Sequence, residues 1–183
     1  PRIGILGSAP GAQWTAFQQQ LRKLGYEEGR NIEFVFRWSE GRNERLKTFA
    51  VELIEREASV IVTEGTLAAQ IAGKATSTVP IVMAISSDPV RGGIVTSLAR
   101  PGGNVTGLSS LSPKLVAKQM ELMKELTPGI KRVGVLSNPH HPLAKELQQE
   151  AESVARALKL QIVLFPSRGR AGYFESFSNM RKE

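Results

Sequence analysis

Arg2-Ile-Gly-Ile-Leu-Gly-Ser8, at the start of the chain, is echoed far along it by Lys131-Arg-Val-Gly-Val-Leu-Ser-Asn138. Each copy is a short apolar run ending in a small polar residue, and each is followed by a helix-patterned segment and a second apolar run. Ile3 and Val133 hold the same place in the two copies, much farther apart than the roughly 20–50-residue period of a solenoid. The echo therefore predicts two α/β lobes built alike. Two such lobes facing each other would form a cleft, and that cleft is where function is expected.

Elsewhere in the chain, apolar runs without alternation occur at 3–6, 60–62, 81–85, 133–136 and 162–165, with further strands at 32–36 and 105–109. Such runs suit strands of parallel sheets buried on both faces by helices. Helical stripes lie between them. Leu46, Phe49, Ala50, Leu53 and Ile54 form one, and Trp14, Phe17, Leu21 and Leu24 another. Leu143, Leu147, Ala151, Val154, Ala155 and Leu158 form the matching stripe of the second copy. The β-α-β-α alternation predicts parallel strand order with right-handed crossovers.

Punctuation agrees with this order. Gly25 ends the first stripe, Pro80 opens a strand, and Arg100-Pro-Gly-Gly-Asn104 is the strongest turn signal. Ser112-Pro113 reads as an N-cap and first helical position for a helix to about residue 126, and Thr127-Pro-Gly129 stops it. The lobes are placed at 1–110 and 111–183, with the boundary near 110–113. The sequence ends in Tyr173-Phe-Glu-Ser-Phe177 and a few more residues, which read as the first turns of an amphipathic helix. The expectation is a second lobe that is incomplete and a natural protein that continues.

Composition narrows the function classes. The 183 residues carry 24 Lys plus Arg against 17 Asp plus Glu, a net charge of +7. The basic residues are scattered and have acidic neighbours, as in Glu55-Arg56-Glu57, so they read as solvated surface. Aromatics are 6% and no helix-turn-helix precedes the first strand, so nucleic acid is not an expected partner. Cysteine is absent, which removes disulfides and thiolate metal sites. No apolar run approaches the roughly 18 residues of a membrane span.

In open parallel sheets, ligands bind beyond the carboxyl ends of the strands, where helix N-termini offer free N–H groups. The segments just after the strands are therefore the informative ones: Gly7-Ser8-Ala9-Pro10-Gly11, Thr63-Glu64-Gly65-Thr66-Leu67-Ala68, Ser86-Ser87-Asp88-Pro89 and, in the second copy, Ser137-Asn138-Pro139-His140. The candidate ligand-binding residues are Ser8, Thr66, Leu67, Ala68, Ser87, Asp88 and Asn138. Ser8, Thr66 and the Ala68 N–H would take an anionic group, Asp88 an amine, and Asn138 would add a contact from the opposite lobe. Each has a plainer alternative: Ser8 and Thr66 as helix caps, Asp88 as a turn carboxylate, Asn138 as the stabiliser of its own turn. Arg37 and Trp38 are read as structural.

Catalytic and cofactor motifs are lacking. Gly4, Gly7 and Gly11 do not have dinucleotide-fingerprint spacing, and no Lys-Ser/Thr pair follows to hold phosphate. His140 and His141 are adjacent and so cannot share a helix face as metal ligands. No Gly-x-Ser-x-Gly elbow occurs. Binding without chemistry, with no cofactor and no metal, is the expectation.

Several segments carry a family resemblance: Leu24-Gly-Tyr-Glu-Glu-Gly-Arg-Asn-Ile32, Phe36-Arg-Trp-Ser-Glu-Gly-Arg42, Ala75-Thr-Ser-Thr-Val-Pro-Ile-Val82, Asp88-Pro-Val90, Leu98-Ala-Arg-Pro-Gly-Gly-Asn-Val-Thr-Gly-Leu108 and Arg132-Val-Gly-Val-Leu-Ser-Asn138. Together they resemble the periplasmic or lipoprotein substrate-binding components of ABC transporters, in the group with tryptophan- and other aromatic-amino-acid-binding proteins. The resemblance implies a type I periplasmic-binding fold of two Rossmann-like lobes that close on a small solute, with an aromatic amino acid as the solute the family suggests. It also implies a membrane permease as partner and a periplasmic or lipid-anchored location. The alternatives are an effector-sensing domain of a regulator, a receptor domain of the same fold, or a small flavodoxin-like enzyme.

Overall fold

A computed structural model of the chain describes residues 1–167 and 169–182, with the side chains of 112–114 and 169–171 outside the description. The chain divides into two compact units, Pro1–Ser110 and Leu111–Glu183.

The first unit runs β1 (Arg2–Gly7), α1 (Ala12–Lys23), β2 (Glu33–Trp38), α2 (Arg45–Glu55), β3 (Val60–Glu64), α3 (Thr66–Ala75), β4 (Ile81–Ser86) and β5 (Val105–Ser109). Its five strands are all parallel, in the order β2-β1-β3-β4-β5. The chain steps from β1 to β2 on one side, then crosses back to place β3 on the other side of β1. The carboxyl ends of β1 and β3 thus flank the switch point of the sheet, where an open α/β fold leaves a crevice.

Alternation along the strands sends side chains to two different layers. Ile5 and Val62 bury against Trp14 of α1, with Phe17, Phe34, Phe36 and Trp38 around them. On the opposite face Leu6, Ile61, Ile81 and Met83 bury against Leu46, Ala50 and Leu53 of α2 and Ala68, Ala69 and Ala72 of α3. The α2 stripe read from sequence therefore packs as expected. Small residues along α3 bring its backbone close to the sheet, which fixes the helix start tightly beside the end of β3.

Three expectations shift by local amounts. The second strand is Glu33–Trp38 rather than 32–36, because it pairs with β1 along its whole length, from Arg2 opposite Glu33 to Gly7 opposite Trp38. Leu24 is not part of the buried α1 stripe: it is 64% exposed, at the C-cap just before Gly25 turns the chain at φ +89°. Ser112 is the first residue of its helix and not the cap, which is Leu111 at φ 49°.

The second unit runs α4 (Ser112–Leu126), β6 (Arg132–Ser137), α5 (Ala144–Ala157), β7 (Gln161–Pro166) and α6 (Gly169–Met180). β6 and β7 pair in parallel from Arg132 opposite Gln161 to Ser137 opposite Pro166, repeating residue for residue the β1–β2 arrangement. Met120, Val133, Ala151, Ala155 and Leu160 form its core. This sheet has two strands among the described residues, against five in the first unit. β1 lies between two neighbours and is largely buried, whereas β6 has one and stays half-exposed. In α6, Ser176 is the buried residue while Phe174 and Phe177 are 70% and 57% exposed, so the aromatic stripe expected there does not face a core within this unit. No helix among the described residues is long and apolar enough to cross a membrane.

Candidate functional site

Where β1 ends, the chain turns through Ser8 to Gly11 before α1 begins at Ala12, and Ser8 does not cap that helix. It bonds across the switch point instead. Glu64, the last residue of β3, accepts the Ser8 backbone N–H at 3.3 Å and the Ser8 hydroxyl at 3.1 Å on Oε2. Its Oε1 accepts the Gln13 side-chain amide at 3.1 Å. Gly7 makes room for this arrangement: a Cβ there would fall 2.8 Å from the Trp38 ring and 3.0 Å from Glu64 Oε2. Glu64 is half-buried and forms no ion pair with a described residue.

Sequence reasoning misses Glu64 when the post-strand segments are taken only as small polar residues and glycines. A signal is nevertheless present. A carboxylate directly at the end of an apolar strand run, before Gly65 at φ +91°, stands where the backbone turns away and the side chain is left at the sheet edge.

The next pair of strand ends is tied more tightly. Thr66 is the first residue of α3 and is 2% exposed; its hydroxyl lies 3.3 Å from Ser86 Oγ and accepts the Ser87 N–H at 3.1 Å. Ser109 donates to the Ser87 carbonyl at 3.3 Å, and the Ser110 N–H reaches the Ser86 carbonyl at 2.8 Å. Asp88, 5% exposed, accepts the Arg91 N–H on Oδ1 at 3.1 Å, while its carbonyl accepts the Gly92 N–H at 2.9 Å. Gly92 packs against Thr66, where a Cβ would meet Thr66 Cγ2 at 3.2 Å. Thr66, Ser87 and Asp88 are thus gathered in one knot that joins α3, β4 and the turn after it. Leu67 and Ala68 sit in the first turn of α3, whose N–H groups have no intrahelical partner, and Ala68 is buried against the core.

Arg37 and Trp38 point to opposite faces of β2. Trp38 stacks on Phe36 at 5.5 Å and leans on Trp14 at 5.5 Å, closing a column that continues through Phe34 and Phe17. Arg37 is paired with Glu52 of α2. Its guanidinium, with a smaller contribution from Arg56, holds the Glu52 carboxyl at about 2, below the usual carboxylate range.

In the second unit Asn138 follows β6, and its Oδ1 accepts the His140 N–H at 3.0 Å while its carbonyl accepts the His141 N–H at 3.0 Å. The Nδ1 of His141 accepts the Leu143 N–H at 3.1 Å, and burial pushes this imidazole below its ordinary value. A cavity of about 590 Å³ within this unit runs along β6 to Asn138 and is lined mainly by apolar side chains, among them Met120, Leu147 and Ala151. Among the described residues no group of three His, Cys, Asp or Glu is placed to hold a metal ion.

Comparison with known proteins bears on this edge. A family model described as ABC transporter substrate binding protein matches residues 7–168. The tyrosine-binding protein of Clostridioides difficile is 36% identical over 122 residues, 67% of this chain and 35% of that protein. A conserved domain protein from Vibrio cholerae superposes with a TM-score of 0.80 at 32% identity, covering 91% of this chain and 57% of that one. The ABC domain from Streptococcus pneumonia solved in complex with L-Trp gives 0.82 at 27% identity, covering all of this chain and 62% of that one. The chain therefore spans about a third to under two thirds of the length of these relatives.

Proposed function

Since the chain belongs to the ABC transporter substrate-binding protein family, with its Rossmann-like lobes of the type I periplasmic-binding fold, we propose that it is the solute-capturing component of an ABC importer. The solute is small and amino-acid-like, and the relatives named for tyrosine and L-Trp favour an aromatic amino acid. Capture involves no bond made or broken. The protein works outside the cytoplasmic membrane, in the periplasm or on a lipid anchor, and hands its solute to a membrane permease.

Family membership across residues 7–168 is the observation that carries this reading. The strand-end groups support it, because Ser8, Gln13 and Glu64 form a polar cluster at the switch crevice. They contain hydrogen-bonding groups and a charge, with no histidine among them to act as a base. Ser8, the first-turn N–H groups of Thr66, Leu67 and Ala68, and the Ser87–Asp88 turn supply the solute contacts of the first lobe, and Asn138 supplies one from the second. Closure of the lobes on the solute would present the bound form to the permease.

Thermal unfolding against the common amino acids and small anions tests the proposal. A solute that binds the folded state raises the midpoint by mass action, about 2.7 kcal/mol of stabilisation at a hundredfold excess over Kd. A saturable rise with an aromatic amino acid is expected. Turnover of the bound compound, or no shift with any member of the panel, would overturn the reading.

A further inference from the structure

The cluster at the switch point has the wrong sign for the role its helix N-terminus would ordinarily play. A strand-to-helix loop such as Gly7–Gly11 presents N–H groups and the positive end of a helix dipole, which together select an anion. Here the protein supplies that anion itself. Glu64 takes one backbone N–H of that loop, from Ser8, together with the Ser8 hydroxyl and the side-chain amide of Gln13, a residue in the first turn of α1.

The acceptor count shows what remains. An ionised carboxylate has about four lone-pair sites, and three donors are accounted for, two on Oε2 and one on Oε1. The side chain is half-buried and has no ion-pair partner among the described residues. Its orientation is fixed from two elements, by the β1–α1 loop and by α1. Gly7 beneath it has no side chain that could shield the carboxylate, and a Cβ there would approach within 3.0 Å of it. A held carboxylate with an open acceptor site and no counter-charge suits a protonated nitrogen and repels an anion.

We infer that Glu64 is the charge selector of the solute site: it receives the cationic amine of the solute, so that this corner of the first lobe reads the ammonium end of an amino acid rather than its carboxylate. The inference rests on the solute-binding reading and sharpens it, since solutes lacking a cationic nitrogen are disfavoured. This matters because structural neighbours of the same fold are complexes with benzoate and hydroxybenzoates, which carry a carboxylate and no amine. The amine contact passes from Asp88, which is 5% exposed and bonded into its own turn, to Glu64.

The test is calorimetric titration of the full chain with two series that keep the ring and change the charged end: L-tyrosine, tyramine and 3-(4-hydroxyphenyl)propionate, then L-tryptophan, tryptamine and 3-indolepropionate. In at least one series the amine-only compound should bind at least tenfold tighter than the acid-only compound. Glu64→Gln keeps an acceptor for Ser8 and removes the charge. It should weaken the amino acid and the amine at least tenfold, narrow the preference over the acid to within about threefold, and leave the thermal midpoint of the unliganded protein unchanged. An amino acid that binds while the acid-only compound equals the amine-only one overturns the inference and leaves the solute-binding reading standing. So does an amino acid whose affinity is untouched in Glu64→Gln. The wild-type comparison can overturn the inference even if the variant does not fold. If no amino acid binds at all, both readings fall together.

Discussion

Gly107 is the position where the Pro101-Gly-Gly-Asn-Val-Thr-Gly107 run becomes a physical requirement. It lies opposite Met83 in the β4–β5 ladder with φ +139°, a region that side chains rarely adopt. A Cβ there would stand 2.2 Å from the Met83 carbonyl oxygen and 2.5 Å from the Met83 nitrogen. These are backbone atoms of a neighbouring strand, so no rotamer change relieves the clash. β5 must move away by about 1 Å, which carries the adjoining backbone hydrogen bonds out of range. Backbone strain at positive φ costs about 1–3 kcal/mol, and each ladder bond lost about 1 kcal/mol more. Gly107→Ala is therefore expected to destabilise the first unit by about 3–5 kcal/mol.

Urea unfolding reads this directly. Trp14 and Trp38 are the chain's two tryptophans and both lie in the first unit, so fluorescence reports on that unit. With m near 2 kcal/mol/M for a unit of this size, the midpoint should fall by about 2 M. Gly103→Ala is the matched control from the same run, because a Cβ there meets nothing within 4 Å. It should stay within about 0.5 kcal/mol of wild type. Equal midpoints for the two variants would refute the argument from backbone approach.

Other substitutions test the polar ties of the same unit. Asn104 donates to the Thr76 carbonyl at 3.0 Å and to the Val79 carbonyl at 2.7 Å, holding the end of α3 to the start of β4; Asn104→Ala should cost about 1–3 kcal/mol in urea unfolding. Thr66→Val removes from the buried Thr66 position the hydroxyl that accepts the Ser87 N–H and should cost a similar amount, whereas Thr66→Ser keeps the bond and should retain most of the stability in thermal melts. Glu52 is held at about 2 against an ordinary 4.5 by Arg37, so its contribution is present above pH 4.5 and is lost as pH falls through 2. Solvent screening at this partly exposed pair limits that contribution to about 1 kcal/mol, and Glu52→Gln should lower the urea midpoint at pH 7 with little effect near pH 2.

Much of the fold is legible in the sequence because its signals are local. Unbroken apolar runs mark the strands, and the 3.6-residue stripes of α2 and α5 mark their buried faces, with Ala50, Leu53, Ala151 and Ala155 all buried. The repeat between residues 2–8 and 131–138 returns as two β-β pairs with the same register. Caps are less legible, since which residue leaves helical geometry at 111–113 depends on φ values that Ser-Pro does not dictate. The site is harder still. Glu64 acquires its place through strand order: only when β3 lies beside β1 does its carboxylate meet Ser8, 56 residues away in sequence. Period and spacing hold no record of that neighbour.

The residues at the strand ends divide by where their bonds go. The Thr66 hydroxyl, an Asp88 carboxylate oxygen and the Asn104 side-chain amide are each bonded to backbone groups, so changing them is expected to loosen the scaffold. Glu64 bonds to the Ser8 loop and to the exposed Gln13 side-chain amide, is half-buried, and belongs to none of the hydrophobic core clusters. Substituting it should therefore move selectivity without moving stability. The diagnostic pattern is a separation of observables: a fall in unfolding midpoint for Thr66→Val, a change in the amine-to-acid preference for Glu64→Gln, and neither variant showing the other's effect.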